Sequence, residues 1–351
     1  MRLPARLAVP PVVGAVLAAA VAAAPASAAP TGTVPTGAQP ASALPADSPR
    51  ASALPAEAPR ASVLPTSVLP TSAVPTAAAA PAGVRALGAD LADAGTGQQL
   101  WGRDPNTKRP MGSVTKVMTA LVVIQAGNLG RKITVPASAV SYVASHGASS
   151  AGLHAGDVLT ARQLLDAMLL PSGCDAAYVL ATAYGPGRAV FVAKMNAEAR
   201  QLGLAKTHFA NFDGLPYPTP RATYSTSTPA DLIALGRAAM ALGAFPTTVD
   251  RRAYHLAGRN GHHAYTWRNT NLLLGSYAGA DGIKTGFTLA AGYCLLFEAH
   301  SGTSALVGVV LHSTAIKPGD RFTAARRMLN WGFSVLAASA ALTSRLGRPD
   351  P

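Results

Sequence analysis

Residues Met111-Gly112-Ser113-Val114-Thr115-Lys116-Val117-Met118-Thr119-Ala120-Leu121 decide how the rest of the chain is read. A serine and a lysine three positions apart open an apolar run. The spacing predicts a helix whose first turn sets both side chains together, with Cβ atoms about 5–6 Å apart. A lysine amine held against a serine hydroxyl takes its proton once burial or a second cation weakens the hold of the amine on its own proton. A serine at a helix N-terminus also meets the positive end of the peptide dipoles, which favours negative charge developing nearby. Alone, S-x-x-K is a common pattern that a solvated helix face explains. The reading turns on the partners that the rest of the chain supplies.

The chain has 351 residues, enough for two or three domains. Only 13% of them are charged, yet the formal net charge is +13. Nucleic acid does not fit that excess, because no dense Lys/Arg run and no helix-turn-helix or RNA-recognition signature occurs. Residues 1–29 read as a secretory signal. Arg2 and Arg6 precede an apolar stretch from about Leu7 to Ala24, and Ala26-Ser27-Ala28 fits a small-x-small cleavage site. No later segment reaches the ~18 apolar residues of a spanning helix, so no transmembrane segment is expected after cleavage. A polyanionic cell envelope therefore suits the basic charge, and the expected location is secreted or extracytoplasmic.

Residues 30–82 are repetitive. Ala41-Ser42-Ala43-Leu44-Pro45 returns as Ala51-Ser52-Ala53-Leu54-Pro55 and as Ala61-Ser62-Val63-Leu64-Pro65. Proline at such intervals forbids a continuous helix and favours an extended, hydrated chain, read equally as a disordered linker that acts as a spacer or as a tail with no task. The globular part is read over 83–340, with a tail over 341–351. Val84–Leu91 and Gln98–Trp101 read as a strand hairpin around Asp93–Gly97. The Ser113 helix runs to about Ala126, and Ile133–Val135 is a short strand. Thr160 caps a helix through Leu170, and Pro171-Ser172-Gly173 breaks it. Helices follow near Asp175–Ala183, Gly187–Leu202 and Pro229–Ala241. From Ala253 the pattern turns to strands, with a hairpin over Asp281–Glu298 and a strand over Ala305–His312. Asp320–Leu336 reads as a closing amphipathic helix with Arg321, Arg326 and Arg327 on its polar side. The order predicts an α/β fold: an antiparallel sheet flanked by helices, with an inserted all-helical cluster.

Two further motifs carry chemistry. Ser172-Gly173-Cys174 sits between two helices, where a second hydroxyl relays protons, although Ser-Gly is also plain turn material. Lys284-Thr285-Gly286 lies on a strand, where a cation and a hydroxyl bind a carboxylate and the glycine lets a substrate lie close to the backbone. Cys174 and Cys294 read as two partly buried free thiols. Were they joined, the second motif would be pinned to the strand after Lys284-Thr285-Gly286. His146, His154 and Asp157 have zinc-ligand character, but nothing in the adjacent sequence completes a set, and no metal or organic cofactor is expected.

S-x-x-K, a serine motif and K-T-G in this order mark the penicillin-interacting acyltransferases. Residues 83–340 resemble the low-molecular-mass penicillin-binding proteins that are serine-type D-Ala-D-Ala carboxypeptidases. The likeness extends to Met168–Ala177, Asn211–Leu215, Asn269–Leu273 and Asp281–Cys294. It implies the β-lactamase/DD-peptidase transpeptidase-like fold. It further implies Ser113 as acylated nucleophile, Lys116 as general base and Ser172 as proton carrier. Lys284, Thr285 and Gly286 would bind the terminal carboxylate. Cys174 would contact the peptide, and the N–H groups of Ser113 and Phe287 would form the oxyanion hole. The implied partners are peptidoglycan stem peptides and β-lactams.

Two departures stand out. The second motif of the family usually ends in asparagine, not Cys174, and a thiol hydrogen-bonds weakly. Many relatives continue into a β-rich domain and a membrane anchor, whereas here only 341–351 follow, so no C-terminal anchor is expected. A D,D-transpeptidase and a penicillin-binding module without turnover remain as alternatives. A class A β-lactamase does not fit, since no E-x-x-L-N pattern occurs and Glu198 is its nearest substitute, read as an exposed helix residue.

Overall fold

The structure, a computed structural model, describes residues 79–216, 223–314 and 316–346. The signal expected over 1–29 and nearly all of the spacer over 30–82 lie outside the described residues. The elements, in order, begin with β1 (Gly88–Asp93), β2 (Gln99–Arg103) and β3 (Arg109–Pro110). A 3₁₀ turn (Gly112–Thr115) leads into α1 (Lys116–Ala126), followed by β4 (Lys132–Thr134), α2 (Ala137–His146) and β5 (Val158–Thr160). The helical middle is α3 (Ala161–Leu169), α4 (Cys174–Tyr184) and α5 (Arg188–Gln201). After β6 (Thr226–Ser227) come α6 (Pro229–Met240) and α7 (Pro246–Val249). The last part holds β7 (Ala253–Leu256), β8 (Tyr265–Arg268), β9 (Ala280–Thr288), β10 (Gly292–Ser301), β11 (Ser304–Leu311) and α8 (Asp320–Leu346).

Strands from both ends of the chain share one antiparallel sheet, ordered β2-β1-β11-β10-β9. Side chains alternate across it, as the pleat requires. On β10 and β11, Cys294, Leu296, Val307, Val309 and Leu311 face the core shared with the helical cluster. Leu295, Phe297, Leu306 and Val310 face the other way, onto Phe322, Ala325, Met328 and Leu329 of α8. Both faces are therefore dry, which is why these strands are apolar runs without polar alternation. The β9 strand is the sheet edge and lies against the 3₁₀ turn.

Local signals explain the helix starts. Thr160 caps α3 in a reciprocal box: its Oγ1 accepts from Gln163 N at 3.2 Å while Gln163 Oε1 accepts from Thr160 N at 2.8 Å. Thr228 caps α6 by accepting from Asp231 N at 3.1 Å, with Pro229 at the first helical position.

Three expectations need correction. The closing helix does not stop at Leu336 but runs to Leu346, into the segment read as a tail. Its extension is alanine-rich, and the next helix breaker is Gly347. The α2 helix was not expected, because its serine-rich sequence buries only Ala139 and carries no apolar stripe. Finally, Ser113 does not open an α-helix. It lies in the 3₁₀ turn, and the α-helix begins at Lys116.

Candidate active site

The tighter turn brings the first pair closer than an α-helical turn would, since side chains at i and i+3 eclipse in a 3₁₀ helix. Lys116 Nζ lies 2.9 Å from Ser113 Oγ, 2.9 Å from the Asp213 carbonyl oxygen and 3.3 Å from Cys174 Sγ. The lysine is fully buried. Burial of an amine is costly unless its hydrogen bonds are replaced, and these three partners replace them. Asp213 is itself held in place: its Oδ2 accepts from Tyr142 on α2 at 2.8 Å, and Asn211 Oδ1 accepts from Gly214 N at 2.7 Å.

The second motif sits in the break between α3 and α4. Ser172 has φ +68°, a left-handed backbone that a non-glycine residue rarely adopts. Its hydroxyl oxygen is buried and has no hydrogen-bond partner among the described residues. Ser149 Oγ donates to the Ser172 carbonyl at 2.6 Å and lies 3.6 Å from Cys174 Sγ. Asp175 anchors the loop that carries Ser149, accepting from Ala151 N at 2.9 Å and Ser150 Oγ at 2.7 Å. Burial pushes the Cys174 thiol pKa up, against the pull of Lys116, so the side chain stays a neutral thiol. Cys174 and Cys294 are both buried and free, so the conditional disulfide is absent.

The third motif lies on β9. Lys284 is buried, with Nζ 3.0 Å from the Thr285 carbonyl and 3.4 Å from Thr285 Oγ1. Burial, with Lys116 and Arg321 nearby, lowers its pKa well below the usual lysine range. Thr285 Oγ1 lies 2.6 Å from Thr270 Oγ1. Gly286 has a docking task besides the one read from the sequence. A Cβ at that position would stand 2.5 Å from the Met111 carbonyl and 3.1 Å from Val114, so the glycine is needed for docking of the Ser113 turn on β9. Gly112, with φ +54°, completes that docking: a Cβ on it would lie 2.9 Å from Phe287 N.

These pieces surround a cavity of about 290 Å³. Ser113, Ser149, Ser172, Thr285, Phe287 and Arg321 are among its lining residues. Lys284 is not among them; it stands behind Thr285. Arg321 corrects the sequence reading, which set it on the polar side of the closing helix. It is buried, donates to the Gly286 carbonyl at 3.2 Å, and packs against Tyr293 and Phe322.

Residues 75–315 match the model of a peptidase family described as D-alanyl-D-alanine carboxypeptidase. The D-alanyl-D-alanine carboxypeptidase of Streptomyces sp. K15 is 41% identical over 264 residues, 72% of this chain and 88% of that one. The chain belongs to the D-alanyl-D-alanine carboxypeptidase family. DacB2 of Mycobacterium tuberculosis, also named a D-alanyl-D-alanine carboxypeptidase, is 37% identical over 70% of this chain and 81% of its own length. The crystal structure of the Streptomyces K15 DD-transpeptidase superposes with a TM-score of 0.67 at 41% identity, covering 72% of this chain and 98% of that one. The fold is that of the DD-peptidases, as the sequence predicts.

Within this family frame, sequence reading left Ser149, Thr270, Arg321 and Tyr142 without a role. Asn211–Leu215 and Asn269–Leu273 were visible as blocks, and they deliver the Asp213 carbonyl and Thr270. Ser149 had no such signal. Glu198 is half-buried on α5, accepts from Gln125 Nε2 at 2.8 Å, and is not among the cavity-lining residues.

Proposed function

We propose that this chain removes the terminal D-alanine from peptidoglycan stem peptides by way of an acyl-enzyme on Ser113. The observation that carries this reading is the fully buried Lys116 amine, 2.9 Å from Ser113 Oγ, at a cavity lined by hydroxyls and one guanidinium. Ser113 Oγ attacks the penultimate D-alanine carbonyl while Lys116 takes its proton. The N–H groups of Ser113 and Phe287 stabilise the oxyanion, a contribution of about 3–4 kcal/mol per donor. Ser172, whose hydroxyl has no partner within the described chain, passes a proton to the departing amine. Arg321 and Thr285 receive the substrate carboxylate, with Lys284 supplying field from behind. Water then releases the shortened peptide. β-Lactams enter the same cavity and acylate Ser113.

A transpeptidase reading has one specific support: the K15 relative carries both the carboxypeptidase and the DD-transpeptidase name. Incubation with a D-Ala-D-Ala peptide, with and without an amine acceptor, separates the two. Hydrolysed peptide without acceptor is expected. Product only when acceptor is present would replace the carboxypeptidase reading. In either case Ser113→Ala must abolish labelling by fluorescent penicillin, and labelling that persists would remove the site assignment.

Export through residues 1–29 and a spacer role for 30–82 go with this reading, since the substrate lies outside the cytoplasmic membrane. Among the described residues no helix is long and apolar enough to cross a membrane.

A further inference from the structure

The histidine grouping read in the sequence is only partly assembled. His146 stays on α2, where its Nδ1 lies 2.8 Å from the Tyr142 carbonyl. In its place the fold brings His263, from the connection between β7 and β8, to His154 and Asp157. Ligand-type atoms of these three residues all lie within 4.8 Å of one another. Asp157 is buried, while His154 and His263 are exposed. Asp157 Oδ1 is 2.9 Å from His263 Nδ1, and its Oδ2 accepts from His263 N at 3.0 Å and from the Tyr265 hydroxyl. That hydroxyl also lies 3.2 Å from His154 Nδ1. The two imidazoles stack with centroids 4.0 Å apart, and neither Nε2 has a hydrogen bond among the described residues.

We propose that His154, Asp157 and His263 form a binding site for one divalent transition-metal ion of the zinc class, beside the catalytic cavity and separate from it. Two imidazoles and one carboxylate are the donor set of a zinc site with an open fourth position. They are too few oxygens for calcium or magnesium. Zinc bonds of about 2.0–2.2 Å set tetrahedral ligand atoms roughly 3.4 Å apart. An ion that takes the place of the proton shared by Asp157 and His263 therefore widens their 2.9 Å separation only slightly. His154 is exposed on a loop and supplies the third nitrogen by turning about its side-chain bonds. Tyr265, bonded to both His154 and Asp157, orients two of the three ligands from the layer behind them. Arg259 shares the adjoining recess, and its charge opposes the ion, so affinity in the micromolar range is expected rather than tighter.

The site also joins two segments that shape the catalytic cavity. One runs back from His154 to Ser149, and the other runs on from His263 through β8 to Thr270. A bound ion ties them together from outside.

The full chain, stripped with a chelator, is titrated with Zn²⁺ alone by calorimetry and with Co²⁺ alone by visible absorption. One equivalent of Zn²⁺ is expected, with a tetrahedral Co²⁺ spectrum and a raised Tm. The His154→Ala/His263→Ala double variant is expected to keep its metal-free Tm and its penicillin labelling, because both side chains are exposed, while losing the bound equivalent. Single variants weaken Zn²⁺ binding by about tenfold or more. Absence of stoichiometric Zn²⁺ binding to the parent would overturn the proposal, as would unchanged binding in the double variant. Equal binding of Mg²⁺ or Ca²⁺ would overturn it as well.

Discussion

Lys116 and Lys284 are both buried amines in one site, and they differ in what surrounds them. Lys116 has a hydroxyl, a carbonyl and a thiol as partners, and the hydroxyl is the attacking group in the proposed reaction. Its replacement in Lys116→Met is expected to slow acylation by penicillin about 10²–10⁴-fold, the usual worth of a positioned base. A rate within tenfold of the parent would remove it as the base. Among the described residues, Lys284 Nζ donates only to Thr285. Its folded pKa lies well below the unfolded value, mainly through burial. The unfolded chain therefore binds more protons between those two pKa values, and stability falls as pH drops through that window. Lys284→Met should abolish this slope and melt at the parent temperature or above at neutral pH, while acylation falls. A lower Tm, with the slope kept, would refute that account. Cys174 and Cys294 are free, so a reductant should leave activity unchanged, as a peptide-release assay with and without reductant would show.

At the scale of elements, the site is the seam between the 3₁₀ turn and the edge strand β9. Gly286 makes that seam close enough. Gly286→Ala should cost about 1–3 kcal/mol through overpacking and reduce acylation by more than the lost stability accounts for, because the turn bearing Ser113 must move off β9. Gly130, with nothing within 4 Å of its would-be Cβ, serves as the neutral control. Denaturant melts and penicillin acylation rates on both variants test this, and a Gly286→Ala protein that acylates normally would disprove it. The elements that carry the three motifs were legible because strong local signals mark them: an apolar run after Ser113, a Pro-Ser-Gly break, and a hairpin pattern around Lys284. The α2 helix was not legible. Its role is to place Tyr142 against Asp213, and that contact is invisible in its own residues.

For the whole molecule, the sheet is covered on both faces, so a charge in its middle meets low dielectric. Glu298 on β10 shows the effect: burial, with Asp281 adding repulsion, pushes its pKa from the usual 4.5 to about 7. The folded state holds a proton that the unfolded state has released, so stability falls as pH rises from about 4.5 through about 7. Glu298→Gln should remove that slope and add on the order of 1–2 kcal/mol at mildly alkaline pH, after allowance for its partial exposure. Denaturant melts across that pH range measure it. An unchanged pH dependence would show that the carboxyl titrates normally.

By itself the sequence determined the family, the fold class and the order of the three motifs. Each rests on residues close together in the chain, where helical and strand periodicity fix geometry directly. Arg321 and Ser149 at the cavity, the pairing of His263 with Asp157, and the docking task of Gly286 were decided only in three dimensions. They depend on contacts between segments far apart in sequence, such as α8 against β9, and no local period encodes those contacts. The Ser113–Lys116 pair belongs to both accounts. Its spacing is local, but its burial against Asp213 and Cys174 comes from packing, and that packing sets the amine against the hydroxyl.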